Sequence, residues 1–162
     1  MTFGRKSYSI DEAKARMERY CAYRERCHKE VTEKLREMRM IPDAIDLIVH
    51  HLITENYLNE TRFAQAFVRG KFRIKKWGKN RLLRELKARD ISLYNIKLAM
   101  KEISETEYLE VFHELSEKRW KQISSEENLQ KKKRKFADYL LYRGWESHLI
   151  WEKLSELVAL RS

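Results

Sequence analysis

The chain holds one proline, four glycines and two cysteines among 162 residues. So little proline and glycine leaves few of the tight turns that β-hairpins require, which argues against an all-β fold. Cys21 and Cys27, with five residues between them and Arg and Glu residues around them, make no disulfide framework. They read as free thiols on or near a helix, as in a reducing cytoplasm. Long apolar runs are missing as well: stretches such as Leu47-Ile48-Val49 stop after a few residues, far short of the ~18 that suggest a membrane span. Met1–Tyr8 is polar and lacks the apolar segment of a secretory signal, so a cytoplasmic protein with no membrane association is expected.

What the chain has in quantity is charge, 37% of residues, beside 43% hydrophobic residues. That combination suits helices with solvated outer faces around an apolar core, and the fold expected is all-α. Helix starts are marked by hydroxyls three residues before a carboxylate at Ser9–Glu12, Ser104–Glu107 and Ser124–Glu127, the spacing of a capping box. Pro42 suits a first-turn position, and Asn59, Ser92 and Ser147 suit caps. These signals predict helices near 9–26, 28–38, 42–54, 59–75, 79–89, 92–103, 105–122, 125–142 and 147–160.

The apolar skeleton recurs. At an offset of 51, Leu35, Met40, Ile45 and Leu52 fall on Leu86, Ile91, Ile96 and Ile103; a further offset of 54 reaches Leu140, Trp145, Ile150 and Leu157. The pattern predicts three tandem three-helix repeats in an elongated, modular protein: a tail at 1–8, then units at 9–57, 58–104 and 105–162.

Charge is not spread evenly over these units. Eleven basic residues and one acid, Glu85, lie between Arg62 and Arg89, a local net charge of +10, whereas residues 1–61 hold eleven of each sign and residues 90–162 thirteen of each. Phe63, Phe67, Phe72 and Trp77 are set among these charges. The basic middle unit therefore reads as a surface for a polyanion, with Arg62, Arg69, Lys71, Arg73, Lys75, Lys76, Lys79, Arg81 and Arg84 as its contacts. The N-terminal amides of the helix that follows Gly78 would add donors for phosphate oxygens, and Trp77 would either stack on a base or plug a helix junction. An excess of eleven to one argues against neutralisation by neighbouring acids. A second run, Lys131–Lys135, covers more than one helical turn, points in all directions and has acids close in sequence; solvated face and binding surface are equally good readings of it.

No enzyme signature emerges. Gly70 and Gly78-Lys79 are separated by seven residues where a phosphate-binding loop needs four, and Asn80 stands in place of its metal-binding hydroxyl. His50 and His51 are adjacent and splay apart on a helix, and Cys21, Cys27 and His28 make at best a weak metal set. No cofactor, metal or catalytic residue is expected.

Four segments resemble a known family: Tyr23-Arg24-Glu25-Arg26 with Glu30–Leu35; Asn56–Ala64; Gly78–Leu86; and Phe136–Trp145. Together they resemble RecX, the bacterial regulatory family of the RecA recombinase, over about residues 10–158. Asn56, Asn59-Glu60 and Met38-Arg39-Met40 depart from the family's usual turn residues. The resemblance implies tandem three-helix repeats, a monomer that binds in the groove of the RecA–DNA filament on single- or double-stranded DNA, and inhibition of RecA's ATPase, strand-exchange and coprotease activities within the SOS response. A sequence-tolerant helix-turn-helix DNA-binding protein is the alternative, with short third helices such as 92–103 entering the major groove.

Overall fold

The computed structural model describes residues 7–160. Among these are nine helices and no strand: α1 (Ile10–Tyr23), α2 (His28–Glu37), α3 (Pro42–Thr54), α4 (Glu60–Arg73), α5 (Lys79–Ala88), α6 (Leu93–Met100), α7 (Glu105–Gln122), α8 (Leu129–Tyr142) and α9 (Ser147–Ala159). Residues 1–6 of the expected tail lie outside the described residues. None of these helices is long and apolar enough to cross a membrane.

Local chemistry accounts for most boundaries. Ser9 and Glu12 form the reciprocal capping box that starts α1, Ser104 accepts from the Glu107 amide at α7, and Pro42 opens α3. Asn59 caps α4 through the Arg62 amide at 2.9 Å, and Ser92 caps α6 through the Asn95 amide at 3.2 Å. Two caps differ from expectation. The Ser124–Glu127 box does not form: α8 begins later, with Asn128 accepting from the Lys131 amide. Ser147 is the first residue inside α9, and the cap position belongs to Glu146, whose carboxylate is engaged by a tyrosine described below.

The repeat appears in the backbone as well as in the core. Arg39, Asp90 and Gly144 all have positive φ, at 63°, 58° and 90°, and they stand at the offsets of 51 and 54 that relate the apolar positions. Each ends the second helix of a repeat. Met40 N–H donates to Leu35 O at 3.1 Å and Trp145 N–H to Leu140 O at 3.1 Å, the six-residue closure that follows a left-handed helix terminus. Leu35, Leu86 and Leu140 are wholly buried.

The described chain divides into two compact units, one holding the residues up to Ala66 with Lys87–Ala99, the other Phe67–Leu86 with the residues from Met100 onward. In the first, Ala13, Met17, Val31, Leu35, Ile48 and Leu52 form the core of α1–α3. Cys21 is a free thiol in that core and Cys27 a free thiol buried at the start of α2, and burial pushes both up to about 11. Since the thiolate is the nucleophile, iodoacetamide at neutral pH should label both cysteines at least about tenfold more slowly in the native protein than in denaturant, as followed by mass spectrometry. Equal rates would place the thiols outside a stable core.

The second unit has an aromatic core. Trp145 lies within 4.6 Å of Tyr108, 5.3 Å of Phe112 and 6.4 Å of Phe72, centroid to centroid. All four rings are essentially inaccessible to solvent, so this cluster joins the last turn of α4 to α7 and the α8–α9 turn.

Candidate nucleic-acid interface

The basic segment is built on the end of α4, the turn at 74–78 and the start of α5. α4 buries Phe63, Ala64, Val68 and Phe72 on one stripe, which turns Arg69 and Arg73 away from the core. The helix ends at Arg73, Ile74 and Lys75 are exposed, and Lys76 reverses the chain at φ 60°. Trp77 N–H then closes the turn on Lys71 O at 3.2 Å.

This turn is pinned by backbone contact. Gly78 N–H donates to Arg143 O at 2.8 Å and Asn80 N–H to Gly144 O at 2.9 Å. The Trp145 indole donates to Lys76 O at 3.0 Å. The Lys79 amide donates to the Tyr108 hydroxyl at 2.8 Å, and that hydroxyl in turn donates to Glu146. Burial, followed by the hydrogen bond to Glu146, drives the Tyr108 phenol far above its ordinary range, so it remains a neutral donor. The first amides of α5 are thus occupied by the α8–α9 turn and Tyr108, and the expected phosphate cradle at that helix start does not exist. What this surface presents to solvent is the set of side chains around that start.

The structure sorts the nine sequence-derived contacts into three groups. Arg62 belongs to the first compact unit; it bonds Glu25 at 2.7 Å, the Asn56 side chain at 3.1 Å, and the carbonyls of Asn56 and Tyr57 at 3.0 and 3.3 Å. Its role there is to hold the α3–α4 turn. Four others in the second unit pair with acids: Arg69 with Glu102 at 3.0 Å, Arg73 with Glu107 at 3.2 Å, Lys79 with Glu105 at 3.1 Å, and Arg81 with Glu85 at 3.9 Å. The eleven-to-one excess did not prevent neutralisation, because Glu102, Glu105 and Glu107 arrive from the α6–α7 junction about thirty residues along the chain. The third group is Lys71, Lys75, Lys76 and Arg84, none of which makes an ion pair among the described residues. Lys71 lies 5.1 Å from the Trp77 ring centre and the Arg81 guanidinium 4.1 Å from it. Trp77, half-buried and edge-on to Phe67 at 6.1 Å, therefore serves as a platform for cations.

The second basic run is broken up by the fold. Lys132 is buried over Trp120 at 4.0 Å, and Lys135 pairs with Glu126 at 3.2 Å. Lys131, Lys133 and Arg134 line a groove of about 580 Å³ with Leu141 and Trp151. On α6, the expected reading helix of the helix-turn-helix alternative, Asn95 donates to Glu60 and accepts from Thr61 at 2.7 Å. That leaves Lys97 and Lys101 as its cations, too few polar groups to read base edges. Sequence reasoning missed Tyr108 and Glu146, for which no local signal existed; Gly144-Trp145 stood out through the repeated turn.

Two family models match the chain, the RecX second three-helix domain at residues 59–100 and the RecX third three-helix domain at 105–154, together more than half of it. Regulatory protein RecX of Clostridium acetobutylicum is 30% identical over 132 residues, covering 80% of this chain and 61% of the relative. Regulatory protein RecX of Pseudomonas savastanoi pv. phaseolicola is 28% identical over 134 residues, covering 83% and 84%. The chain thus spans about three fifths of the clostridial relative's length, and only 34% of the length of a matching protein from Lactobacillus gasseri. Among solved structures, RecX from Lactobacillus salivarius superposes with a TM-score of 0.75 at 23% identity, covering 93% of this chain and 97% of that one, which establishes a shared fold.

Proposed function

The chain belongs to the RecX family, and from that premise we propose that it is a cytoplasmic, monomeric, non-catalytic modulator of a RecA-class recombinase, bound to the recombinase–DNA filament. The observation that carries the DNA part of this reading is the set Lys71, Lys75, Lys76 and Arg84, cations without carboxylate partners among the described residues, two on a turn held by backbone bonds and two on the helices that flank it. Arg69, Arg73 and Lys79 surround them in partly exposed ion pairs, and Arg81 is held in a more buried pair with Glu85. Partly exposed pairs contribute about 1 kcal/mol, so phosphate oxygens compete with the carboxylates of the first three at small cost. Arg62 serves the fold, and the phosphate-contacting set is best drawn from the other eight.

Inhibition follows from differential binding. A protein that grips one conformation of the filament raises the barrier to the rearrangements of nucleotide turnover, because a ligand shifts an equilibrium only toward the state it binds better. ATP hydrolysis, strand exchange and coprotease activity would all fall together, since each depends on the same filament. The test is the ATPase rate of the cognate recombinase on single-stranded DNA with increasing amounts of this protein. A saturable fall that persists when free DNA is supplied in excess is expected. An unchanged rate, or a fall that excess DNA abolishes, would replace the filament modulator with a plain DNA competitor.

A further inference from the structure

Residues 1–61 carry equal numbers of basic and acidic groups, yet the fold separates them. Arg16, Arg19, Tyr20, Tyr23, Arg26 and Lys34 line a cleft of about 350 Å³ where α1 meets α2, and no carboxylate is among its described lining residues. The acids of this region hold other partners, and two of the cleft's own cations, Arg26 and Lys34, are among those partners, which leaves Arg16 and Arg19. Glu12 closes the capping box at Ser9, Glu18 bonds His51 of α3 at 2.9 Å, and Glu25 holds Arg62. Glu30 is divided among Arg24 at 3.1 Å, Arg26 at 3.8 Å and the Cys27 amide at 3.3 Å. Glu37 reaches Lys34 at 3.7 Å. Arg16 and Arg19 are exposed and make no ion pair among the described residues.

The cleft also has a built interior. The side chain of Arg26 is nine-tenths buried; its guanidinium lies 3.7 Å from the centre of the Tyr20 ring and 6.0 Å from that of Tyr23, and its Nε donates to Tyr20 O at 2.9 Å. This arrangement fixes a cation between two aromatic rings, while Tyr23 is 84% exposed. Unpaired cations beside an open aromatic face fit a phosphate chain whose bases are free to stack, whereas a duplex keeps its base faces covered. An acidic peptide would meet the same charge but brings no flat base to the open face of Tyr23.

We infer that this cleft in the first unit is a single-stranded nucleic-acid site, with phosphates on Arg16 and Arg19 and a base on Tyr23. It is separate from the basic segment around Trp77 and does not depend on the family reading. The experiment is a fluorescence-anisotropy titration of the full chain with labelled oligothymidylate of about fifteen nucleotides, an abasic oligomer of the same length, and polyglutamate as an acidic-protein probe. Arg16→Gln with Arg19→Gln should weaken both oligomers and flatten the log–log salt dependence by roughly 1.4, at about 0.7 for each phosphate no longer neutralised. Tyr23→Ala should weaken oligothymidylate by about tenfold, as expected for one unstacked base, and leave the abasic oligomer unchanged. All three side chains are exposed, so these variants fold. Wild-type affinity and slope in both variants, equal losses on both oligomers for Tyr23→Ala, or tighter capture of polyglutamate than of oligothymidylate would overturn the site. Substitution of Lys75, Lys76 and Arg84 runs alongside, so loss there without loss at the cleft refutes this site and leaves the central one standing.

Discussion

A Gly144→Ala variant should melt roughly 6–12 °C below the parent protein. Gly144 has φ +90°, and a Cβ there would stand 2.3 Å from the backbone nitrogen of Arg81. Left-handed backbone alone costs an L-residue about 1–2 kcal/mol. The clash is with main chain and cannot be relieved by a rotamer change, so the α8–α9 turn must retreat from α5. That retreat breaks the bonds from Gly78 to Arg143 O and from Asn80 to Gly144 O, and it loosens the Trp145 indole on Lys76 O. A total near 3 kcal/mol or more is expected, at about 2–4 °C per kcal/mol for a protein of this size. Gly70→Ala is the internal control: nothing lies within 4 Å of its added Cβ, and in the interior of α4 it should stabilise by roughly 0.5–1 kcal/mol. Parallel thermal melts decide the matter; a Gly144→Ala melt at or above the parent's would show that the close approach of the two turns is absent in solution.

Neutralising Lys71, Lys75, Lys76 and Arg84 together, each to Gln, should lower affinity for single-stranded DNA on the order of a hundredfold at about 0.1 M salt. The reason is electrostatic: four phosphates left without their cations, at about 0.7 each, remove roughly 2.8 from the log–log salt slope. None of the four has an ion-pair partner among the described residues, so the melting temperature should stay near the parent's. The same number of neutral substitutions at Arg62, Arg69, Arg73 and Lys79 gives a contrasting result. These release Glu25, Glu102, Glu107 and Glu105 and should lower stability while flattening the salt slope less. Equal slopes for the two quadruple variants would mean that ion pairing does not decide which cations meet phosphate.

The same packing decides how the central segment should be probed. Cutting the chain after residue 104 would keep every basic side chain of the 62–89 segment, but it would remove Tyr108, Phe112 and Trp145, against which Phe72 and the turn at 76–80 are built. The basic turn would lose its shape with its neighbours. Point substitutions on the intact chain separate charge from fold, and truncation does not.

Much of this protein was legible in its sequence because the signals were short-range. Ser9 with Glu12, Pro42, Asn59 and Ser92 act on backbone groups within four residues, and the spacing of Leu35, Leu86 and Leu140 reports a repeated core directly. Where a competing local group was nearer the true boundary, as Asn128 was for α8, the same reasoning placed the start too early. The family was legible too, through turn residues such as Arg143-Gly144-Trp145. Only the tertiary structure decided which charges remain available, because neutralisation acts through space. Glu102, Glu105 and Glu107 were counted with a neutral flank, yet they lie on Arg69, Lys79 and Arg73; Glu18, Glu25 and Glu30 turn inward or sideways and leave Arg16 and Arg19 facing solvent. A linear charge count locates an excess along the chain, but an electric field depends on distances between side chains, and those distances are set only when the helices pack.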